Sequence, residues 1–396
     1  MKRKINLLVV GTAFRSQSLI GELVKMPDVH IAALSDLLPE RMEKAAKIIT
    51  DAGHAEPVRH ADYRSLLDLK GLDAVIAAGS WDSHIPVCLD AMKAGLYAAS
   101  EAGCANSLDE CRELVRTSEN TGKPCMMLEN CCYGKDEMMI GRMIREGLFG
   151  EIVSAGCGYQ HDLRVLAKQP HPYRMMQNLR RCGDLYLTHG LGPACQWLGI
   201  NRGNRILSVV SMSSKSRGFE SWIREHLPED DPRQQYRFAN GDVTDTLIRC
   251  ANGETIRIRH TITLPAPYSR HNELYGTGGV YSEDCKGISL DSGKGAPTWT
   301  PLDKFYRKYS DPLWKKFERS GKQSGHGGMD YLVLRAFIEA VKQQKPTPIS
   351  VYDTALWMAV SVLSEQSILL GSSPVAMPDF TGGKWIQVPC PDIRSN

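Results

Sequence analysis

The strongest constraint on this chain is an alternation. Between residues 5 and 128, short apolar runs at 5–11, 30–34, 72–78, 96–100 and 125–128 are separated by stretches with helical periodicity at 14–25, 39–49, 86–94 and 108–121. Strands of a parallel sheet are buried on both faces and read as continuous apolar runs, and their crossovers are usually helices. The pattern predicts an α/β domain over residues 1–130, with a doubly wound parallel sheet. Such sheets bind ligands beyond the carboxyl ends of their strands. At those ends the chain carries residues 11–17, Asp36, residues 81–84, Glu101-Ala102 and Glu129-Asn130, small or polar where the apolar runs stop. That ordered set is what a nucleotide crevice requires.

The first turn of such a crevice normally reads G-x-G-x-x-G. Here it reads Gly11-Thr12-Ala13-Phe14-Arg15-Ser16, so Gly11 alone stands. The second glycine admits backbone close to a pyrophosphate and the third lets the helix pack on its strand. Ala13 and Ser16 are the next smallest choices, and they weaken the turn without abolishing it. Asp36, after the second run, is placed to accept from both ribose hydroxyls and to repel a 2′-phosphate, which favours NAD over NADP. Its plain alternative is a helix cap before Pro39. Trp81 and His84 follow the third run: the indole suits a wall for the nicotinamide or ribose, or simple core packing, and His84 suits a cap for the next helix.

A helix over 137–146 closes on Gly147 and Gly150, and the character then changes. Residues 153–159, 206–211, 245–249 and 255–263 alternate like strands with glycine and polar breaks between them, which predicts a large, open, mostly antiparallel sheet. Residues 227–235 read as a surface loop and 286–298 as a mobile one. Amphipathic helices are expected at 329–343 and 351–370, packed back on the first domain. The division expected is 1–130, a substrate-binding α/β domain at 131–375, and a tail at 376–396.

Composition closes off several classes. The net charge is +3 and no basic run is interleaved with aromatics, so nucleic acid is not expected as a partner. No run approaches the ~20 apolar residues that span a membrane, and the basic start at 1–4 leads into an apolar run too short for a signal segment. The twelve cysteines include no C-x-x-C pair, which argues against a metal site or a disulfide framework and suits a reducing, cytoplasmic setting.

The stretch Gly183-Asp184-Leu185-Tyr186-Leu187-Thr188-His189-Gly190-Leu191-Gly192-Pro193 places a tyrosine and a histidine three apart, on one face if helical. Both residue types move protons. Gly190 and Gly192 leave room for a ligand or a second backbone. The plain alternative is a buried helix start with a hydrogen-bonded histidine.

Taken with residues 126–134, 158–164, 201–205, 211–214, 267–270, 326–330 and 378–381, these runs make the chain resemble the glucose-fructose oxidoreductase/inositol dehydrogenase (Gfo/Idh/MocA) superfamily. More narrowly it resembles glycoside hydrolase family 109, the NAD-dependent α-N-acetylgalactosaminidase group. The resemblance implies an N-terminal Rossmann domain holding NAD through Gly11, Phe14, Arg15, Asp36, Trp81, His84, Glu101, Ala102, Asn130 and Arg174. It implies Tyr159 and His189 as catalytic groups and Tyr186 and Tyr268 as sugar-binding ones. For Tyr159 and Tyr268 the plain alternative is a strand tyrosine with its hydroxyl in water; for Arg174, a solvated loop arginine. His161 and Asp162 either orient Tyr159 or satisfy each other. The superfamily's dehydrogenases carry Glu-Lys-Pro where this chain has Glu101-Ala102-Gly103, and the glycosidase group also lacks that lysine. Gln177 stands where a more basic residue is expected.

The implied reaction is glycoside cleavage by transient oxidation at carbon three, elimination, water addition and re-reduction, with NAD recycled in place. Other readings are a sugar 3-dehydrogenase, a lyase that stops at the enone, or a non-catalytic sugar- or nucleotide-sensing protein. A homo-oligomer, a dimer or larger, is expected from the open sheet face.

Overall fold

The computed structural model describes residues 3–319 and 324–387; the last part of the expected tail, 388–396, lies outside the described residues. The chain forms two compact units, Met1–Gly134 with Leu313–Met358, and Lys135–Pro312 with Ala359–Asn396.

The first unit begins with β1 (Ile5–Val10), α1 (Phe14–Leu23), β2 (Val29–Ser35), α2 (Pro39–Asp51), β3 (Val58–Arg59), β4 (Ala74–Ala77), α3 (Trp81–Lys93), β5 (Tyr97–Ser100), α4 (Leu108–Thr121) and β6 (Cys125–Met127). Its six strands lie in the order β3-β2-β1-β4-β5-β6, all parallel. This is the doubly wound sheet read from the alternation, with one further strand, the two-residue β3 at its edge, that the five apolar runs did not include. β4 and β5 are buried at every position, as strands covered on both faces must be. α4 is bounded by local chemistry: the Ser107 hydroxyl accepts from the Glu110 amide at 3.1 Å, the Glu110 carboxylate accepts from the Asn106 amide, and Gly122 ends the helix in the left-handed region.

One boundary differs from expectation. The third crossover helix starts at Trp81, five residues ahead of Pro86, so residues 81–84 form its first turn and not a loop. Pro86, at the expected start of the 86–94 stretch, lies inside the helix, while Ser80 takes the capping position and accepts from the Ser83 amide through its carbonyl.

The second unit contains α5 (Lys135–Arg145), β7 (Ile152–Gln160), α6 (Tyr173–Arg180), α7 (Thr188–Trp197), β8 (Ile206–Ser213), α8 (Gly218–His226), β9 (Thr244–Cys250), β10 (Thr255–Thr261), β11 (Glu273–Gly276), β12 (Gly279–Ser282), β13 (Gly287–Leu290), β14 (Thr300–Pro301) and α9 (Asp303–Tyr309). Then α10 (Pro312–Arg319) and α11 (Met329–Gln343) lead back into the first unit. The apolar α12 (Val351–Leu369) begins there and ends in the second, where β15 (Val375–Ala376) follows. The nine strands run β14-β13-β12-β11-β7-β10-β9-β8-β15, antiparallel except that β7 and β10 pair in parallel. The stretch expected to be mobile, 286–298, supplies β13. Its Ile288 is fully buried, an apolar anchor masked in sequence by the surrounding glycine and serine.

Among the described residues no helix is long and apolar enough to cross a membrane.

Candidate active site

The predicted cofactor residues of the first unit gather at the carboxyl ends of its strands. Gly11 has φ +85°, and a Cβ there would stand 2.3 Å from the Gly79 Cα, so the turns after β1 and β4 touch through backbone. α1 then starts at Phe14 after Ala13, which offers no side-chain cap, and no acidic residue stands in its first turn. The first amides of such a helix are oriented for an anion. Asp36 is buried; Oδ2 accepts from the Thr12 amide at 2.7 Å and from the Thr12 hydroxyl, and Oδ1 from the Leu38 amide at 3.0 Å. It thus braces the glycine turn and the entry to α2 together, and a carboxylate retains capacity for a further donor. These groups fit a dinucleotide: uncapped amides for phosphate, an acid for ribose.

Arg15 is held by an ion-pair network. Its Nε meets Glu101 Oε1 at 2.7 Å, and its two terminal nitrogens meet Asp330 Oδ2 and Oδ1 at 2.7 and 3.0 Å. Asn130 donates to Asp330 Oδ1 at 2.8 Å, and His326 Nδ1 lies 2.8 Å from Oδ2. Burial disfavours the charge on Asp330, yet the hydrogen bonds from His326 and Arg15 override it and hold the carboxyl well below the usual carboxylate range. Two predicted residues, Arg15 and Asn130, therefore converge on Asp330, and a third, Glu101, joins them through Arg15. That residue belongs to the 326–330 run, to which no role was attached. The second carboxylate oxygen of Glu101 accepts from the Ala102 amide.

Trp81 and His84 are buried in the first turn of α3, and His84 Nε2 lies 3.3 Å from the Gly79 carbonyl. His84 is thus inside the helix it was expected to cap. A Cβ at Gly103 would stand 2.7 Å from the indole and 2.9 Å from His84 Nδ1. Position 103 has no room for a side chain. Phe14, by contrast, is 89% exposed.

The second unit brings its four predicted residues into one cluster. Tyr159, near the end of β7, lies with its ring 4.8 Å from Tyr186, 5.4 Å from His189 and 6.0 Å from Tyr268, each edge to face. The Tyr186 hydroxyl is 3.3 Å from His189 Nε2, and the Tyr159 hydroxyl is 3.1 Å from His161 Nδ1. Tyr159 and Tyr186 are buried; Tyr268 is half exposed, on the loop between β10 and β11. Tyr186 precedes α7, which starts at Thr188, so the pair meets across a helix entrance and not along one helical face.

Arg174, expected beside the cofactor, projects from α6 in this unit with its guanidinium 4.2 Å from the centre of the Tyr186 ring. A chain of amides fixes its helix to the 183–187 segment that leads into α7: Gly183 donates to Asn240, Asn240 to Asn178, and Asn178 to the Arg174 carbonyl. His260, which sequence reasoning passed over, stacks on Tyr159 at 6.5 Å. Burial, with the Arg174 charge, pushes its imidazole down to about 4. Only its place in the alternation of β10 marked it as inward-facing. The Tyr268 loop is tied to β7 by reciprocal backbone bonds between Gln160 and Ser269 and by the Gln160 side chain, which donates to the Pro267 carbonyl. Gln177 accepts from Arg181, which also pairs with Glu365.

Residues 133–387 match the family described as "Glycosyl hydrolase 109, C-terminal domain", and residues 5–129 match "Oxidoreductase family, NAD-binding Rossmann fold". The chain is 38% identical over 403 residues to an alpha-N-acetylgalactosaminidase of Tannerella forsythia, covering 95% of this chain and 86% of that one. It is 39% identical over 391 residues to a glycosyl hydrolase family 109 protein of Solibacter usitatus, covering 96% and 89%. Among solved structures it is similar in fold to a levoglucosan dehydrogenase in complex with NADH and L-sorbose, with TM-score 0.70 at 18% identity over 96% of this chain and 100% of that one. A myo-inositol dehydrogenase from Lactobacillus casei aligns with TM-score 0.66 at 14% identity over 97% and 100%.

Proposed function

The chain belongs to glycosyl hydrolase family 109, and from that membership we propose that it cleaves an N-acetylgalactosaminide-like glycoside with NAD as a resident cofactor. The observation that carries the reading is the joining of Tyr159, Tyr186, His189 and Tyr268 in one cluster with two tyrosine–histidine hydrogen bonds. Ordinary glycosidases use a pair of carboxylates. The groups gathered here are phenols and imidazoles, suited to proton transfer at neutral pH. NAD, when bound, supplies the hydride acceptor for carbon three of the sugar and returns the hydride at the end of the cycle.

The protein's own part follows from residue chemistry. His189, paired with Tyr186, takes the proton of the carbon-three hydroxyl. The ketone so formed acidifies the proton on carbon two, and Tyr159 removes it. The aglycone then leaves by elimination and water adds to the enone. Tyr186 and Tyr268 lay aromatic surface against the C–H face of the sugar. Gly11, Phe14, Asp36, Trp81, His84 and Ala102 receive the dinucleotide, with Arg15 and Asn130 braced by Asp330 and Glu101 by Arg15.

We assign the protein to the cytoplasm, which agrees with the buried free thiols, and to a homo-oligomer. The sheet face bearing Met212, Leu247 and Tyr275, each at least 42% exposed, is the surface for self-association. The test is an aryl α-N-acetylgalactosaminide supplied with NAD⁺ in deuterated water. Hydrolysis with deuterium at carbon two and no net NADH supports the reading. Stoichiometric NADH without cleavage refutes it in favour of a dehydrogenase.

A further inference from the structure

We propose that His161 is the proton acceptor for Tyr159, the two acting as one base separate from the Tyr186–His189 couple; the proposal rests on the reading of Tyr159 as the group that meets carbon two. Residues two apart on a strand project to the same face. Tyr159 is the last but one residue of β7 and His161 follows its end, and the two side chains close to 3.1 Å between hydroxyl and Nδ1. Both flanks of the pair are anchored. The His161 amide donates to the Thr261 carbonyl at 3.0 Å, and Gln160 between them is bonded to Pro267 and to His271 Nε2.

The surroundings favour a neutral imidazole that accepts. Burial lowers the His161 pKa, followed by the Arg174 charge, while Asp162 acts the other way and His189 adds a small lowering. The Asp162 carboxylate is itself gripped by the Arg164 side chain through two hydrogen bonds at 2.9 and 2.7 Å. Tyr268 faces the ring edge on at 5.4 Å. A phenol donating to Nδ1 requires the tautomer with its proton on Nε2. Arg174, which also interacts with Tyr159 electrostatically, supports negative charge on the phenol oxygen as the proton leaves.

The step balances as follows. The Tyr159 O–H bond breaks and its proton joins His161 Nδ1. The phenol oxygen takes the proton of carbon two, and the electron pair left there is shared with the carbon-three ketone oxygen. That pair then forms the double bond between carbons one and two as the bond from carbon one to the aglycone oxygen breaks. The water that adds at carbon one gives its proton to the aglycone oxygen, and the imidazolium proton returns to the phenol oxygen as that oxygen reprotonates carbon two. His161 thus acts through Tyr159 as a positioning and proton-accepting residue.

Three measurements test this. Nitrogen-15 NMR of the protein without sugar should show His161 as the Nε2–H tautomer at pH 7; the Nδ1–H tautomer would overturn the proposal. In the NAD-loaded protein, His161→Asn keeps an acceptor near Nδ1 that cannot take a proton. It should still form NADH on adding glycoside, yet lose carbon-two deuterium exchange by about a hundredfold or more. Exchange within about threefold of the unaltered protein would overturn it. So would equal loss of the NADH signal, which is what a purely structural role produces; His161→Gln repeats the measurement should the asparagine variant fold poorly. The acid limb of the exchange rate, lying below the usual histidine range, should vanish in either variant, and its survival would count against His161. Absence of exchange in the unaltered protein sinks the glycosidase reading itself, whereas exchange there with an unaffected His161→Asn sinks this proposal alone.

Discussion

Gly190 of α7 lies directly against Gly158 of β7. A Cβ built on Gly190 would stand 2.5 Å from the Gly158 nitrogen and 2.8 Å from its oxygen. The second backbone that the small residue was expected to admit is therefore the strand carrying Tyr159, and the approach sets His189 beside that phenol.

Gly190→Ala forces α7 off β7. Overpacking of this kind costs about 1–3 kcal/mol, so the thermal midpoint should fall. Glycoside turnover should fall further than NAD binding, because the displaced element carries His189 and the cofactor residues lie elsewhere. Calorimetry and NAD titration on the same preparation check both parts.

His189→Ala should abolish turnover while leaving cofactor bound. Loss of a positioned general base lowers rate by roughly 10²–10⁴. Steady-state kinetics, with nicotinamide absorbance of the purified variant, test it, and near-normal turnover would remove His189 from the mechanism.

Asp330→Asn should be strongly destabilising. The carboxylate is buried and binds Arg15 through both oxygens, and breaking one side of such a pair costs roughly 3–5 kcal/mol. The pH sign follows from a folded pKa below the unfolded one. Stability from Asp330 is present above about pH 4, the unfolded value, and is lost as pH falls toward the lower folded value. The unaltered protein should lose stability below pH 4, and the variant should lose less over that interval. Urea titrations at several pH values give the comparison.

Asp184→Asn should flatten the other side of the profile. Burial, reinforced by the Asp245 charge and opposed by the Thr246 hydroxyl, pushes the Asp184 carboxyl up to about 8. A raised folded pKa gives stability that is fully present below the unfolded value near 4 and is lost as pH rises through the folded one. The unaltered protein should weaken from about pH 4 to about 8, at up to ~1.4 kcal/mol per unit of displaced pKa. The asparagine variant should change less across that window, read by urea unfolding at pH 5 and pH 8.

Much of the site was legible because its residues stand at fixed offsets from local elements. Asp36 directly follows β2, Glu101 follows β5 and Asn130 comes shortly after β6, so strand ends found by hydrophobic runs locate all three. The three-residue spacing of Tyr186 and His189 was likewise visible, although the helix starts later than that spacing assumed. Gly103 was read only as a departure from Glu-Lys-Pro, and its meaning emerged from the indole and imidazole packed above it.

The sequence by itself determined the parallel sheet, its alternation of strand and helix and the chemical types held at its strand ends, since burial on one or two faces imposes a period that neighbouring residues must obey. Only the tertiary structure decided that Arg15 closes on Asp330, 315 positions away, that β7 pairs in parallel with β10, and that Arg174 stands over Tyr186. Such pairings depend on where long connections return the chain. Charge and ring contacts carry no periodicity along the sequence, and the partners meet only once the intervening elements have packed.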